Sequence, residues 1–392
     1  MRQPLARTPT DRVVVAVDAR PLIHFGNGVS RLVLELVREM REMGSVRLLL
    51  MAHRPLHSGH DLTGLQVIVD DAWRHVPGTL WYVARMNALA RHHGANVVWG
   101  TAHVLPFRAD DMRYVVSCHD LVHLVMPGSM RLSNLLLSRL LVDRSLRNAD
   151  AVVALSQTTR HDLLTKLQVD SKKVVTILPG VSRLVESGEQ TTGSTALPDE
   201  YLFTLGSLEP RKNIDGLLRC FASLTRLRPN LVLVIAGAHE WRSQATLRLL
   251  EEPCFRGKVI RVGYLSDVEI ARYFENASAF VMSSHYEGFG LPVLEAAGRC
   301  PIVLAAVPIF EELSSYISGT RLVDFQNPSL AAADIDRFLD SRPDRARVRE
   351  TCQRVLTWSG AARRYVQTFG AAASRGDAGV PRHETDDVKL LY

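Results

Sequence analysis

Short apolar runs rich in β-branched residues alternate along the chain with stretches whose apolar positions recur every three or four residues. In the first half, RVVVAVD (12–18), RLLLMA (47–52), NVVWG (96–100), RYVVSC (113–118), AVVAL (151–155) and VVTIL (174–178) read as strands. In the second half, YLFTLGS (201–207), LVLVIAG (231–237), KVIRVG (258–263), AFVMSS (279–284) and PIVLAA (301–306) do the same. Helical periodicity fills the intervals, as at 29–43, 131–148, 213–226, 266–275 and 292–298. Near-continuous apolar strands separated by amphipathic helices predict βαβ units and parallel sheets.

The polar stretch VESGEQTTGSTALPDE (185–200), rich in Gly, Ser and Thr, interrupts this alternation and reads as an interdomain linker. The last stretch, 374–392, reads as a disordered tail. A chain of 392 residues exceeds one ordinary core. The expectation is an α/β protein of two Rossmann-like domains, 12–185 and 199–357, facing across a cleft. Such sheets bind ligands at the carboxyl ends of their strands.

Composition narrows the class. No run of 18 apolar residues predicts a membrane span, and VVVAV (13–17) is too short for a signal-peptide core. Five scattered cysteines, none in a CxxC pair, argue against a disulfide framework and a zinc knuckle, so a cytoplasmic location is expected. Residues 1–185 hold 23 Lys and Arg against 15 Asp and Glu, whereas the remainder is slightly acidic. A basic first half suggests an anionic partner, either nucleic acid or a membrane surface. No basic stripe with interleaved aromatics and no RNA-binding signature is present, which ranks nucleic acid second.

Two segments of the second half carry candidate chemistry. In GSLEPRKN (206–213), Arg211 and Lys212 follow Gly206 at a strand-to-helix turn, with Asn213 placed to cap the helix. Two cations beside a helix start suit a diphosphate. In HYEGFGLPVLEAA (285–297), Gly288 and Gly290 allow close backbone approach, and Pro292 fits the first turn of a helix. Glu295 then lies in the first turns of that helix. A buried carboxylate there needs donors, and the vicinal hydroxyls of a ribose supply them. Glu287, in the loop, faces what lies beyond the phosphates.

EGFGLPVLEA, with GSLEPRKN upstream and VGYLSDVEIARYFENASAFVMSSHYEG between, resembles the nucleotide-sugar half of glycosyltransferase family 4, retaining enzymes of GT-B fold. The likeness runs from about residue 12 to 372 and includes the Glu–seven residues–Glu spacing of Glu287 and Glu295. It implies that Glu295 holds the ribose and Glu287 the donor sugar hydroxyls. Phe289, Gly290 and Leu291 offer backbone amides to sugar and phosphate. Arg211 and Lys212 neutralise the leaving diphosphate, and Gly263, Tyr264 and Leu265 line the base pocket. WSGAARRYVQTF (358–369) resembles the family's terminal helix, so 358–372 should cross back to the first domain, with Trp358 as a packing anchor.

In the first half, FGNGVSR (25–31) resembles the family's glycine-rich loop bordering diphosphate and acceptor. Gly28 and Arg31 match it, while Ser30 stands where the second glycine is usual. SCHDLVHLVMPG (117–128) raises a rival reading, since His119 and His123 echo the HExxH zinc motif. A preceding strand, an Asp in place of Glu and no third ligand disfavour it. The family's HDL segment implies instead that His119 bonds the donor sugar, that Asp120 orients on the acceptor side, and that no metal or other cofactor is needed. SNLLLSRLLVDRSLR (133–147) reads either as a core helix or as a helix on an anionic membrane.

The resemblance extends to bacterial transferases that build O-antigen or exopolysaccharide, often with mannose. It implies a hexosyltransferase acting from a nucleotide sugar on a lipid-linked or polysaccharide acceptor, at the inner face of the plasma membrane. Two other readings stand beside it: a GT-B epimerase or hydrolase, and a non-catalytic nucleotide- or glycan-binding protein.

Overall fold

The computed structural model describes residues 13–181, 197–237, 244–341 and 356–374. Most of the expected linker and all but the first residue of the expected tail lie outside these ranges.

The first sheet comprises β1 (Val14–Asp18), β2 (Arg47–Ala52), β3 (Gln66–Val69), β4 (Val97–Gly100), β5 (Arg113–Cys118), β6 (Ala151–Ala154) and β7 (Val174–Thr176). All pairs are parallel, in the order β3-β2-β1-β4-β5-β6-β7. Alternate residues feed opposite faces, as the two-residue period of a strand requires. Val15, Val17, Leu48, Leu50, Val97 and Trp99 join one core, and Ala16, Leu49, Met51 and Val98 the other. The helices of this half are α1 (Gly28–Met43), α2 (Gly78–His92), α3 (Val122–Val125), α4 (Leu132–Asn148) and α5 (Gln157–Thr165).

The second sheet comprises β8 (Tyr201–Leu205), β9 (Val232–Ala236), β10 (Val259–Gly263), β11 (Ala279–Met282), β12 (Ile302–Ala305) and β13 (Thr320–Val323). It is also wholly parallel, in the order β10-β9-β8-β11-β12-β13. Its helices are α6 (Ile214–Leu227), α7 (Gln244–Leu250), α8 (Asp267–Asn276), α9 (Leu291–Ala296), α10 (Pro308–Tyr316) and α11 (Pro328–Ser341). Two Rossmann-like units thus result, as the alternating pattern predicts.

The terminal helix α12 (Trp358–Ala373) returns to the first unit and packs on α1, β4 and β5. Tyr365 and Phe369 lie against Trp99, with ring centroids 5.0 and 5.5 Å away. The Tyr365 hydroxyl is 2.8 Å from Ser117 Oγ, which accepts from Trp99 Nε1 at 2.9 Å. Trp358 is buried over Gly180, where a Cβ would come 2.3 Å from the Trp358 amide nitrogen.

Strands β3 and β13 are absent from the sequence reading. Both lie at sheet edges, where the apolar run that marks a strand covered on both faces is not required. The two readings of residues 133–147 divide along α4. Val142 and Leu146 are buried, whereas Leu132 and Leu140 are 70% and 67% exposed and Leu136 and Leu137 lie beside them at the surface.

Candidate active site

Residues Pro210–Lys212 form a single 3-10 turn after β8, and Asn213 then caps α6 in the left-handed conformation (φ 53°), accepting from Gly216 N at 3.2 Å. This turn is stitched to the loop after β11. Asn213 Nδ2 donates to Ser283 O (3.1 Å), Ser283 Oγ donates to Lys212 O (2.9 Å), and His285 N donates to Arg211 O (2.9 Å).

Those backbone ties bring Glu287 onto both cations. Its Oε2 accepts from Arg211 Nη1 at 2.6 Å, and its Oε1 accepts from Lys212 Nζ at 2.7 Å and Ser284 Oγ at 2.8 Å. Burial alone would push the Glu287 carboxyl up, but Lys212 and Arg211 outweigh it and hold the carboxyl at about 2. The same cluster, together with Glu209, raises the Arg211 guanidinium further above its already high value, against the opposing pull of burial. The Glu287 carboxylate and the Arg211 guanidinium therefore stay ionised at neutral pH. Gly206 follows β8 at φ 154°, and a Cβ there would come 3.3 Å from Lys212 Cε, so the lysine stem lies against bare backbone.

Glu295 sits on α9 and is 6% exposed. Arg31 of α1 reaches across the cleft to it through Nη1, and to Asp267 at the start of α8 through Nη2. Burial pushes the Glu295 carboxyl above its ordinary value, and Arg31 only partly offsets this. Burial opposes the charge on Arg31 as well, but Glu295 and then Asp267 outweigh it and raise the guanidinium. Arg31, expected on the acceptor side, is thus joined to the expected ribose carboxylate. Its position follows from the turn before it: Asn27 caps α1 by accepting from Ser30 N at 2.7 Å, while Ser30 Oγ donates to Asn27 O at 2.8 Å. Serine at the usual glycine position therefore completes the cap.

The remaining donor-side positions follow β10 and β11 in the second domain. Gly263 closes β10 at φ 71°, Leu265 is buried, and Tyr264 projects so that a Cβ on Gly26 would lie 2.1 Å from its hydroxyl. Phe289 is buried, and Gly290 (φ 90°) starts α9 with no side-chain cap. The Leu291 side chain faces Gly28, where a Cβ would be 3.4 Å away.

On the first domain, His119 follows β5. Its Nε2 is 2.6 Å from Thr101 O, a pure acceptor, so Nε2 carries the proton. Burial lowers the ring's pKa more than that bond raises it, which keeps the imidazole neutral and leaves Nδ1 as an acceptor. His103 stands beside it, centroids 4.9 Å apart, in the left-handed region (φ 63°) and held neutral at about 3 by burial and then by His119. Asp120 accepts from Val122 N at 3.1 Å and, with Arg211, Arg131 and Asn134, borders a cavity of about 420 Å³ that opens toward α4. His123 bonds Asp143 Oδ1 at 2.7 Å, so the two histidines have separate partners. Among the described residues no three His, Cys, Asp or Glu side chains group as a metal site.

Contacts absent from the sequence reading hold the domains together. Tyr286 OH donates to Asp162 Oδ2 at 2.9 Å and accepts from Leu121 N at 3.0 Å. Gly288 O accepts from Ser156 Oγ at 2.7 Å, and a Cβ on Gly288 would fall 1.7 Å from His119 O. Glu312 of α10 accepts from Gln157 N and Thr158 N at 2.7 and 2.8 Å, capping α5 from the opposite domain. The glycine was the only sequence signal of this seam, as a demand for close backbone approach.

Two parallel-sheet domains, with fixed cations and carboxylates where their strand ends face, make up the GT-B fold. The model of Glycosyltransferase Family 4 matches residues 26–183, and that of Glycosyl transferases group 1 matches residues 192–355. The chain belongs to glycosyltransferase family 4. The serotype-specific mannosyltransferase WbdA of Escherichia coli is 26% identical over 293 residues, covering 68% of this chain and 35% of that protein. O-antigen chain mannosyltransferase B of Escherichia coli is 28% identical over 237 residues, covering 57% of this chain and 58% of that one. The chain spans from 26% to 58% of the length of these and similar curated relatives. Anabaena HepE, solved in complex with UDP and glucose, shares the fold at TM-score 0.67 and 15% identity, covering 91% of this chain and 99% of that one.

Proposed function

We propose that the protein is a retaining hexosyltransferase that moves mannose from a nucleoside diphosphate sugar to a lipid-linked or polysaccharide acceptor in cell-surface glycan synthesis. The observation that carries this reading is the Glu287–Arg211–Lys212 cluster at the strand ends, with Glu295 nearby and His119 across the cleft. Mannose rests on the two Escherichia coli relatives, both named as mannosyltransferases.

In this reading Arg211 and Lys212 take the departing diphosphate, and Glu287 keeps them in place before and after. Preorganised charge of this kind lowers the barrier without reorganisation at the moment of reaction. Glu295 accepts the ribose hydroxyls, for which the Arg31 contact on Oε1 leaves Oε2 available. The neutral His119 accepts a hydrogen bond from a donor-sugar hydroxyl through Nδ1. The acceptor attacks on the face the diphosphate leaves, and the leaving phosphate takes its proton. No metal is required, so turnover should persist in EDTA.

The exposed leucines at the start of α4, with Arg131 and Arg139 among them, suit a peripheral contact with anionic membrane at its inner face. Among the described residues no helix is long and apolar enough to cross a membrane.

The test is turnover with a panel of nucleotide sugars, GDP-mannose included, with the product anomer read by NMR. Transfer with retained configuration is expected. Inverted product, or sugar released without need of an acceptor, would sink the reading.

A further inference from the structure

We propose that Thr101 is a positioning residue for His119: its buried hydroxyl, anchored on β1, aims its own carbonyl at the imidazole and so fixes which ring nitrogen is left for the donor sugar. The proposal rests on the glycosyl-transfer reading above, in which His119 accepts from a sugar hydroxyl, and adds to it the residue that sets this role.

The need for such a residue follows from where β4 stops. The strand ends at Gly100, so the Thr101 carbonyl lies past the ladder that orders the sheet. A neutral imidazole takes its tautomer from the hydrogen bond that one of its nitrogens makes. Thr101 O stands 2.6 Å from His119 Nε2, and the direction of this one carbonyl therefore decides that Nδ1 is the free acceptor.

Ties to both neighbouring strands supply that direction. Thr101 is fully buried, and its Oγ1 donates at 2.7 Å to the carbonyl of Asp18, the last residue of β1. Asp18 is itself held: its carboxylate accepts from Arg20 Nε and Nη2 at 2.8 and 2.7 Å, and the next amide, Ala19 N, donates to Met51 O of β2 at 3.0 Å. On the other side His103 N donates to Ser117 O of β5 at 3.2 Å. The segment 101–103 is thus pinned to β1 at one end and β5 at the other, with the carbonyl that meets His119 between the pins.

The turn between them is tight. Val104 N donates to Ala102 O at 2.8 Å, and a Cβ on Gly100 would come 2.4 Å from Val104 O, so the segment folds back over bare backbone. His103 is thereby set in the left-handed region (φ 63°), a conformation that persists at a side-chain-bearing residue where its surroundings over-determine it. Its ring packs beside His119, centroids 4.9 Å apart and planes tilted by 56°. That contact opposes a turning-over of the His119 ring, which would carry Nε2 away from Thr101 O. Valine would fill the space of Thr101 and leave the Asp18 carbonyl without its donor, so the hydroxyl is the group on which the positioning turns.

Imidazole nitrogen NMR of the full chain, labelled at histidine, tests this without reference to turnover, the His119 signal being assigned by its loss in His119→Gln. In the unsubstituted protein His119 should show one tautomer, protonated at Nε2, with that proton protected from water. Thr101→Val should mix the tautomers and speed exchange of the proton about tenfold, the effect of losing one hydrogen bond. Thr101→Ser, which keeps the hydroxyl, should restore both signatures. Thr101→Ala serves as a second deletion of the hydroxyl that adds no bulk against the Asp18 carbonyl, and thermal unfolding checks that each variant folds. A tautomer and an exchange rate indifferent to both deletions overturn the proposal. A kinetic arm separates positioning from general loosening. In Thr101→Val kcat should fall about tenfold, while affinity for nucleoside diphosphate, which carries no sugar for His119 to meet, stays the same. Equal losses in turnover and in diphosphate affinity overturn the proposal. Absence of turnover with every nucleotide sugar in the unsubstituted protein would instead fall on the functional reading, because the spectra do not depend on it.

Discussion

Arg31 and Glu295 form a buried ion pair between the two domains, and the second Arg31 nitrogen rests on Asp267. The pair joins a helix start of the acceptor-side sheet to the carboxylate expected to grip the donor ribose. In the proposed function, the donor site and the contact between the domains thereby share one side chain.

Removing Arg31 leaves Glu295 buried without its cation, a change that costs about 3–5 kcal/mol. Burial already raises the Glu295 carboxyl above its ordinary value, so the penalty applies to the ionised form. Arg31→Ala should therefore destabilise more at pH 8 than at pH 5, where a proton relieves the unpaired charge. Urea unfolding at the two pH values measures this, and an equal loss at both would contradict it.

Glu287 has the opposite sign. Its carboxyl is held at about 2 against an ordinary 4.5. The stabilisation is thus complete above about pH 4.5 and lost as pH falls through about 2. Glu287→Gln should lose about 3 kcal/mol at pH 7 and flatten the acid limb of the stability curve. Nucleoside diphosphate affinity should be retained, since both cations lose only their counterion, while turnover drops.

Lys212→Ala removes a charge-assisted contact to the diphosphate. Affinity for nucleoside diphosphate should fall about ten- to a hundredfold in calorimetry. An unchanged value would remove Lys212 from the cradle.

Gly288→Ala places a methyl group where His119 O already stands, 1.7 Å away. The seam between the domains should open, with loss of activity and faster proteolysis between the sheets. Far-UV circular dichroism should be unchanged, because neither sheet is touched. Retained activity would show that the seam tolerates displacement.

The fold was legible because parallel strands covered on both faces leave apolar runs, and β2 and β5 coincide with such runs end to end. Strand β3 escaped notice because Gln66, Val67 and Val69 are exposed at an edge and form only a short run. Donor-side candidates could be named because each lies in the short segment that follows β8, β10 or β11, where a motif is local. The contacts across the seam have no such signature. Tyr286 and Asp162 are 124 residues apart, Ser156 and Gly288 132, and Gln157 and Glu312 155. Arg31 and Glu295 are 264 apart, so each motif could be read but not their meeting.

The return of α12 to the first sheet sets an order of events during synthesis. Trp99 and Ser117 leave the ribosome long before Tyr365 and Phe369, which cover them. At translation rates of about 5–20 residues per second, that interval is on the order of ten seconds or more. The half made first is thus the half finished last, and it carries an open aromatic groove throughout the making of the other. Truncation of the last helix should consequently appear as a failure of soluble yield before it can be scored as a failure of catalysis.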